Sequence, residues 1–583
     1  MATIESLDDE VVAPTATKSE STGFFSGRMG MQRREAALAY LFILPAMIII
    51  FLFGIFPLIF SAYQSTRGGI NNIIGRPDGF GQYVRAIDNL AYVIAFWIAI
   101  IFVIVAVNRI REQGNLAEKY GQPLWQWTIP GILTGVGFAA FIRWIFVYLP
   151  GLLEVGEKLN DLRQQNSDIT ALEIREAFRG FVGEAWTINE ANAAFWPAFL
   201  LVAGGLVVYF MFQRVPDWGS NRADDYYAGF MTASFLLTLA GGLVYLTTNA
   251  ITLAIAEAVE DGEALPIWSQ VLLISAGFGL FYIAWILWSR AQFAANGLGF
   301  WLRLTAAVLL LIGGWILISE LPAVIAEGKD DWWTGLSVTT WYVVGAMPIQ
   351  LFLGLVLAVL MFQEIRGQTA FRVIYFLPFI TPQVGAAAAF RVIFSGNPTS
   401  PINQFLGWLG AEPWGWLAEP KGIFVLMGEN FGGWAWTDWL GGPSLALTVA
   451  ILFGIWTYTG YNMIFFLAGL GNISKDMYEA ASIDGASRWQ KFRQITFPLL
   501  SPTTYFLTLV TIIGIFKVFN SVFVLRTEQA RGMMDTASVV IFDAFVRDTR
   551  FGYASALGII LLLIIVGVST ITNNLTQDRV FYE

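Results

Sequence analysis

Two apolar stretches of the chain contain polar and aromatic side chains of a kind that could hold a ligand inside a membrane. In GIWTYTGYNMIFF they are Trp456, Thr457, Tyr458, Thr459, Tyr461 and Asn462, and in IGIFKVFNSVF they are Phe516, Lys517, Phe519 and Asn520. Polar groups are costly in lipid and tend to face a cavity. There, aromatic rings can stack on a sugar, and hydroxyl and amide groups can form hydrogen bonds with it. The set therefore suits a hydroxyl-rich ligand.

Lys517 leaves two alternatives open. It is a lone cation in an apolar run, and a ligand that carries a phosphate or carboxylate would suit it better than a neutral sugar. It also lies near the outer end of its predicted span, so that its ammonium group could instead extend to the membrane interface. The residue types alone do not decide between these interpretations.

The composition excludes most chemistry on this chain. There is no cysteine and no histidine, which removes disulfides, thiolate and imidazole catalysis and most zinc sites. The phosphate-binding pattern GxxxxGK[ST] is absent, because the Gly328-Lys329 pair is followed by Asp330. We expect no catalytic residue, metal site or cofactor here, and any ATP hydrolysis must occur on another chain. The net charge of −9 argues against nucleic acid as a partner.

The elements that position these side chains are predicted to be membrane-spanning helices. The chain has 583 residues, of which 56% are hydrophobic and 13% charged, about half the charged fraction of a soluble domain. Apolar runs of about 20 residues predict an all-α polytopic membrane protein. The twelve predicted spans are roughly 36–61, 88–108, 128–150, 194–213, 227–256, 267–288, 299–319, 336–363, 371–394, 444–470, 501–523 and 552–575.

The positions of basic residues orient the spans. Short cytoplasmic loops are rich in Lys and Arg, and Arg28, Arg33 and Arg34 precede the first span. We therefore expect both termini in the cytoplasm, with residues 1–32 as a disordered tail. One loop does not follow this rule, because residues 62–87 would lie outside the cytoplasm and yet contain basic residues. These are Arg67, Arg76 and Arg85.

Two segments on the predicted outer side could form docking surfaces. Residues 151–193 are acidic and have leucines at helical spacing, which predicts amphipathic helices that could equally form a simple connecting hairpin. Residues 395–442 are crowded with tryptophans, which either lie at the membrane interface or contact a protein that delivers substrate. The tryptophans are Trp408, Trp414, Trp416, Trp434, Trp436 and Trp439.

A polar segment interrupts the apolar C-terminal half at residues 471–500 and is predicted to be cytoplasmic. Ser474 can cap a first short helix, which ends at Gly485. Ser487 and Gln490 have the spacing of a capping box for a second helix, and prolines then stop that helix and restart the chain in the next span. The product is a compact helix–turn–helix that suits a docking surface, although an amphipathic helix on lipid headgroups would show the same periodicity.

The residues of this segment resemble the EAA motif of binding-protein-dependent ABC importer permeases. The motif residues are Glu479, Ala480, Ala481, Asp484, Gly485, Ile495 and Pro498. Phe497 departs from the pattern, since the family has Leu before the final Pro. In the family this loop is the coupling helix that contacts the ATPase subunit, so the resemblance implies an ATPase-coupling role for these residues.

The resemblance continues along the C-terminal half of the chain. Four segments look, in order, like the sugar-permease branch of the family: 370–384, 469–487, 516–525 and 551–565. The first core helix of that branch resembles 33–66, and the rest of its core resembles 330–583. Residues 67–329 have no counterpart and are expected to form an inserted bundle of six spans, at the place where the larger maltose-type permease subunit has a periplasmic insertion.

The resemblance implies a permease subunit of an ABC importer in the bacterial or archaeal cytoplasmic membrane, with a carbohydrate, expected to be an oligosaccharide, as substrate. Its partners would be a second permease subunit, ABC ATPase subunits that bind ATP and Mg²⁺, an extracytoplasmic substrate-binding protein and membrane lipids. The resemblance also aligns four residues with positions that line the maltose-type sugar site: Gly454, Thr457, Tyr458 and Tyr461. We add Trp456, Lys517 and Asn520 to the substrate-lining candidates.

Other functions stay open at this point. An importer for an anionic small solute, such as a phosphorylated polyol, would share the same family features. A self-contained secondary transporter would need carboxylates within its spans, and none lies centrally in a predicted core span. A membrane enzyme such as a glycosyltransferase or protease is the least consistent, since the chain lacks His, Cys and a paired-carboxylate motif.

Overall fold

The computed structural model describes most of the chain. The described residues are 27–70, 75–121, 124–166, 169–187, 189–214, 223–262, 265–292, 296–328, 330–363, 365–429 and 441–576. Most of the predicted disordered tail lies outside them. A helix begins at Gly27, so the prediction of disorder is wrong for 27–32, where polar residues simply extend the first apolar helix.

Contacts divide the chain into two compact units, Met1–Phe60 and Ser61–Glu583. The helical run of the first unit continues across the boundary as α1 Gly27–Ile50, a π-helical turn Phe51–Ile55 and α2 Phe56–Gln64. Within this run, Leu38–Gln64 is long and apolar enough to cross a membrane.

A small antiparallel hairpin and a series of long helices make up the described residues between Ser65 and Gly328. The strands are β1 Arg67–Gly68 and β2 Arg76–Pro77. The helices are α3 Gly81–Ile87, α4 Leu90–Tyr120, α5 Trp125–Gln165, α6 Ala171–Thr187, α7 Asn189–Arg214, α8 Ala223–Glu260, α9 Ile267–Ala291 and α10 Asn296–Glu327. Helix α5 packs against α7 and α8, and α9 packs against α10. The helices predicted within 151–193 are confirmed as the end of α5 and as α6.

The C-terminal part of the second unit contains shorter and more broken helices. The first of them are α11 Asp330–Phe362, α12 Gln368–Ile380, α13 Gln383–Ile393, α14 Pro401–Trp408, α15 Ile423–Met427 and α16 Leu445–Gly471. They are followed by α17 Lys475–Ile483, α18 Arg488–Lys491, a π-helical turn Phe492–Thr496, α19 Phe497–Leu499, α20 Ser501–Phe516, α21 Asn520–Leu525, α22 Ala537–Val546 and α23 Phe551–Thr576.

The prediction of an all-α polytopic membrane protein is confirmed. Ten described helices are long and apolar enough to cross a membrane, and two bent helix pairs raise the number to twelve if each pair is one span. These twelve correspond in order to the twelve predicted spans.

Two predicted spans are not the continuous helices that the sequence suggested. Span 371–394 is divided into α12 and α13, which meet at an angle of 91°. Pro382 explains the bend, because the residue before a proline is disfavoured in a helix, and Thr381 is extended with ψ 135°. Span 501–523 stops at Phe516, and the chain resumes as α21 only at Asn520.

Helix α16 is the centre of the C-terminal bundle. In its most apolar window 67% of the residues are buried, against 33% or less in the other nine unbroken candidate spans. Helices α11, α12, α20 and α21 all pack against it. Phe453 and Ile451 of α16 lie in a hydrophobic cluster with Val338 and Val522. Side chains on α16 therefore have neighbours fixed on several sides, which is what a precise ligand site requires.

Candidate functional site

A cavity of about 300 Å³ lies among α11, α13, α16 and the break between α20 and α21. We call it the central cavity. Its lining residues are Tyr342, Gln383, Phe453, Gly454, Tyr458, Gly514, Lys517, Val518, Phe519, Asn520 and Ser521. The structure therefore brings together four of the residues predicted to line a substrate site: Gly454, Tyr458, Lys517 and Asn520.

Tyr342 and Gly454 form one wall by direct contact between α11 and α16. The Tyr342 hydroxyl donates a hydrogen bond to the Ala450 carbonyl oxygen at 3.0 Å. A Cβ atom at Gly454 would collide with that hydroxyl, so glycine is what lets the hydroxyl end of the ring approach α16 this closely. Tyr342 was not among the predicted site residues, because nothing in the local sequence marks a tyrosine on a distant helix.

Tyr458 faces the same cavity from the next turn of α16. Its hydroxyl accepts a hydrogen bond of 3.2 Å from the side-chain amide of Gln383, the first residue of α13. Its ring meets Phe379 of α12 edge-on at 5.9 Å. The bend between α12 and α13 thus brings an amide to one side of Tyr458 and an aromatic ring to another.

Lys517 and Asn520 lie where α20 gives way to α21. Lys517 is the C-cap of α20, is exposed and contributes the one charge among the described lining residues. Carbonyl groups freed by the break accept hydrogen bonds from hydroxyls before and within α22: Val518 from Thr536 at 3.0 Å and Phe516 from Ser538 at 3.2 Å. The break is therefore a fixed feature that holds Lys517 at the cavity wall.

The other three predicted lining residues lie elsewhere. Trp456 is 40% exposed, and its ring packs on Phe390 at 5.3 Å. Thr457 is buried, and its hydroxyl donates to the Phe453 carbonyl within α16. Tyr461 packs between Phe379 at 4.7 Å and Phe465 at 4.8 Å. None of the three belongs to the described lining of the central cavity.

The segment 471–500 has the local structure that its sequence predicts. Ser474 accepts a hydrogen bond from the Asp476 backbone N–H and caps α17. Gly485 has φ +77°, a conformation that glycine adopts without strain. Ser487 and Gln490 form the complete capping box at the start of α18.

The two arms of this segment are joined to each other and to the bundle. The hydroxyls of Tyr478 and Thr496 are 3.0 Å apart. Ile495 and Tyr478 pack against a buried cluster that includes Phe466 and Leu500. Phe466 belongs to α16, and Leu500 directly precedes α20. The segment is thus packed rigidly against the two helices that flank it.

The motif residues of segment 471–500 divide into an exposed group and an inner group. The exposed ones are Glu479, Ala480, Asp484 and Gly485, and the partly buried ones are Ala481, Ile495 and Pro498. Two apolar side chains beside the exposed group also face outward, since Ile483 is 88% and Trp489 67% exposed. Exposed apolar side chains next to charge are typical of protein-binding surfaces.

Sequence reasoning missed an ion-pair network between α21 and α22. The Arg526 side chain is 5% exposed and lies 2.8 Å from carboxylate oxygens of both Asp535 and Asp543. Burial alone would lower the pKa of Arg526, but the bonds to Asp543 and Asp535 outweigh it and raise the pKa above its usual value. Thr527 beside it donates to the Leu417 carbonyl at 2.7 Å. The network fixes the chain between the break at Lys517 and α22.

The tryptophan-rich loop is organised by one buried amide. The Asn403 side chain accepts hydrogen bonds from Trp414 N–H at 3.0 Å and Trp416 Nε1 at 2.9 Å, and its NH₂ group donates to the carbonyls of Ser395, Asn397 and Trp414. Trp408 is 88% exposed. The remaining tryptophans of this prediction, Trp434, Trp436 and Trp439, lie outside the described residues.

Comparisons with known proteins bear on this part of the chain. The family described as binding-protein-dependent transport system inner membrane component matches residues 350–580. The arabinooligosaccharides transport system permease protein AraP of Bacillus subtilis is 31% identical over 246 residues, 42% of this chain and 70% of that protein. The lactose transport system permease protein LacF of Rhizobium radiobacter is 30% identical over 254 residues, 42% of this chain and 76% of that protein.

Solved structures give a more distant likeness. A bacterial ABC transporter described as involved in the import of the acidic polysaccharide alginate has a chain with a TM-score of 0.36 and 22% identity, over 47% of this chain and 95% of its own. The family match contains Gln383, all of α16, the segment 471–500 and the break at Lys517.

Proposed function

The chain belongs to the family of binding-protein-dependent transport system inner membrane components, and we propose that it is the permease subunit of an ABC importer for a carbohydrate. One observation supports a carbohydrate as the class of substrate. Two tyrosines, two side-chain amides and a single cation surround a cavity between spans, and no carboxylate is present among its described lining residues. Rings and amides suit stacking and hydrogen bonding to a sugar.

The size of the central cavity limits what it can hold at one time. Its volume of about 300 Å³ lies at the low end of the range for small-molecule sites, about 300–1,000 Å³. An oligosaccharide would therefore enter it in part, with the remainder extending along the pathway. The names of the two relatives, which concern arabinooligosaccharides and lactose, support a carbohydrate of this kind.

The energy for transport would come from separate ATPase subunits, which bind ATP and Mg²⁺ and dock on segment 471–500. Ile483 and Trp489 give this surface two exposed apolar anchors, and Glu479 gives it a charge. Because the segment is joined rigidly to α16 and α20, movement of the ATPases would be transmitted to the wall of the central cavity. Alternating access would then be a rocking of these helices about the site.

The remaining assignments follow from the same proposal. A second permease subunit would complete the pathway, and an extracytoplasmic binding protein would deliver substrate on the side of the tryptophan-rich loop. Residues 33–66 and 330–583 would form the permease core, and 67–329 an accessory bundle in the bacterial or archaeal cytoplasmic membrane. This chain would supply no catalytic group.

A second candidate substrate is an anionic small solute such as a phosphorylated polyol. Lys517 favours it, because this ammonium group lines the cavity with no described carboxylate beside it in the lining. The geometry gives the neutral sugar more partners, since Tyr342, Gln383, Tyr458 and Asn520 are all uncharged hydrogen-bonding side chains.

Cross-linking tests the ATPase surface directly. The chain has no cysteine, so Ile483→Cys introduces a unique thiol on the exposed face of α17. We expect it to cross-link, in native membranes, to a protein that mass spectrometry identifies as an ABC ATPase with a phosphate-binding loop. Asn115→Cys, exposed near the end of α4, is the control and should not cross-link to it. Equal cross-linking of both variants, or none at Ile483→Cys, would contradict the proposed surface.

A further inference from the structure

A second and larger cavity lies apart from the central one. Its volume is about 1210 Å³, above the range of about 300–1,000 Å³ that is typical of small-molecule sites. Its described lining residues come from α4, α8, α11 and α23 and from the chain around the β1–β2 hairpin and α3. We call it the large cavity, and it shares no lining residue with the central cavity.

The large cavity is deep enough for a lipid chain. Along α8 its lining extends from Glu257 back to Leu243, about 21 Å at the rise of an α-helix. Half of the hydrocarbon core of a bilayer is about 15 Å thick. A ligand that begins at the Glu257 end can therefore reach past the middle of the membrane, as an acyl chain from one leaflet does.

The wall of the large cavity is apolar and open at one edge. Ala250 and Ala254 lie one turn apart on α8 and line the cavity together with Ile560 and Leu563 of α23. Leu246 and Leu253 also line the cavity, and each is 57% exposed. Since α4, α8, α11 and α23 are all candidate spans, this edge opens at the depth of the bilayer, where hydrocarbon rather than water would enter.

The charged groups among the described lining residues lie at the β1–β2 hairpin and near the end of α8. They are the guanidinium of Arg67 and the carboxylates of Asp78 and Glu257. Arg67 lies over the Tyr63 ring at 4.6 Å, and its Nε is buried without a hydrogen-bond partner among the described residues. A buried donor of this kind is costly until an acceptor reaches it. A phosphate suits the planar guanidinium better than a single acceptor atom does, because two of its oxygens can accept parallel hydrogen bonds.

We propose that the large cavity binds one phospholipid with a zwitterionic, amine-bearing headgroup. The phosphate accepts hydrogen bonds from Arg67, the ammonium lies toward Asp78 and Glu257, and an acyl chain fills the apolar part along α8 and α23. Two carboxylates and one arginine in the same lining disfavour a headgroup that is only negative, since like charges in one site repel. The site also gives a role to Arg67, which lies in a loop that is predicted to be on the outer side although it contains basic residues.

Filling the cavity tests the acyl-chain part of the proposal. The full chain is purified with its partners in mild detergent, and retained lipid is identified by native mass spectrometry. Ala250→Phe combined with Ala254→Phe should lose the retained lipid, because both rings enter the lining. Thr252→Phe on the same helix adds one such ring at an exposed residue outside the lining, and it should keep the lipid. Equal retention in the two variants would overturn the proposal.

Charge substitutions test the headgroup. Delipidated protein is titrated with phosphatidylethanolamine, with phosphatidylglycerol and with free phosphoethanolamine, and the shift in melting temperature is measured. We expect stabilisation by phosphatidylethanolamine alone, and Arg67→Ala should weaken its affinity about tenfold or more. Arg76→Ala, exposed on the neighbouring strand, should leave it unchanged. Equal effects of the two arginine variants, a preference for phosphatidylglycerol, or stabilisation by free phosphoethanolamine would each overturn the assignment.

If Arg67→Ala fails to fold, Glu257→Gln on the exposed surface of α8 gives a second measurement. Removing this carboxylate leaves the phosphate contact and weakens only the attraction for the ammonium. The preference for phosphatidylethanolamine over phosphatidylglycerol should therefore shrink. An unchanged preference would contradict the assignment of the amine to this end.

Discussion

The side-chain amide of Gln383 donates a hydrogen bond of 3.2 Å to the hydroxyl of Tyr458, which joins the bent span α12–α13 to the central helix α16. Both residues line the central cavity. The contact therefore holds the two helices in register at the place where a substrate would bind. A substrate hydroxyl that reached Tyr458 would compete with Gln383 or extend the same network.

Removing the Tyr458 hydroxyl should weaken substrate binding while leaving the bundle folded. Tyr458→Phe keeps the ring and loses the hydroxyl, so we expect KM for uptake to rise about fivefold, corresponding to about 1 kcal/mol. Tyr461→Phe removes a hydroxyl that is outside the cavity lining, and uptake should be unchanged. Uptake kinetics in membrane vesicles make the comparison, and a KM that moves equally in both variants would remove Tyr458 from the site.

Comparing uptake by variants of Lys517 and Tyr458 shows whether the substrate is neutral or anionic. A neutral sugar loses stacking and hydrogen bonds in Tyr458→Ala, whereas Lys517→Gln should keep most of the uptake. An anionic substrate reverses this order, because a desolvated charge without its partner costs several kcal/mol. Uptake measured in vesicles for both variants gives the ranking. Abolished uptake in Lys517→Gln beside near-normal uptake in Tyr458→Ala would refute a neutral sugar.

Coupling should depend on the turn at Gly485. Its φ of +77° is unfavourable for any residue with a Cβ by about 1–2 kcal/mol and more for a β-branched one. The Gly485→Val variant should insert in the membrane normally, but the ATPase subunits of its complex should hydrolyse ATP without transport, since the turn between α17 and α18 would change shape. Gly262→Val, at a turn outside segment 471–500 with φ +79° and open space around an added Cβ, is the matched control. Substrate-stimulated transport at the normal rate by Gly485→Val would show that the turn has no part in coupling.

Local signals predicted local structure well. The caps at Ser474 and Ser487 and the helix end at Gly485 each depend on a few adjacent residues, and all three are confirmed. The bend at Pro382 had a local signal too, but the apolar run on both sides concealed it. Helical periodicity likewise separates Tyr458 from Trp456: Gly454 and Tyr458 are four residues apart and share a face, whereas Trp456 lies nearly opposite.

Distant contacts could not be predicted in this way. Tyr342 reaches the cavity from a helix that begins at Asp330, and Gln383 reaches it only because α12 and α13 meet at 91°. Arg526 finds two carboxylates at separations that match no helical period. These positions depend on how helices pack in three dimensions, which no spacing along a single chain specifies.

The buried ion pairs of Arg526 should dominate the stability of the segment between α21 and α22. Arg526→Ala leaves Asp535 and Asp543 without their shared partner, and breaking a buried pair costs roughly 3–5 kcal/mol. Arg531→Ala removes an arginine that is 46% exposed, where pairs contribute about 1 kcal/mol or less. We expect a marked fall in melting temperature for the first variant and almost none for the second. Similar melting temperatures would show that the network is dispensable.

ATP-driven uptake tests the central claim most directly. The chain is reconstituted with its partner permease, ATPase subunits and binding protein in proteoliposomes, and import of a labelled oligosaccharide is measured with ATP on the ATPase side. We predict import that requires ATP hydrolysis, fails with ADP and is indifferent to ionophores that collapse proton and sodium gradients. Import by this chain alone, driven by an ion gradient without ATP, would contradict the account and identify a secondary transporter instead.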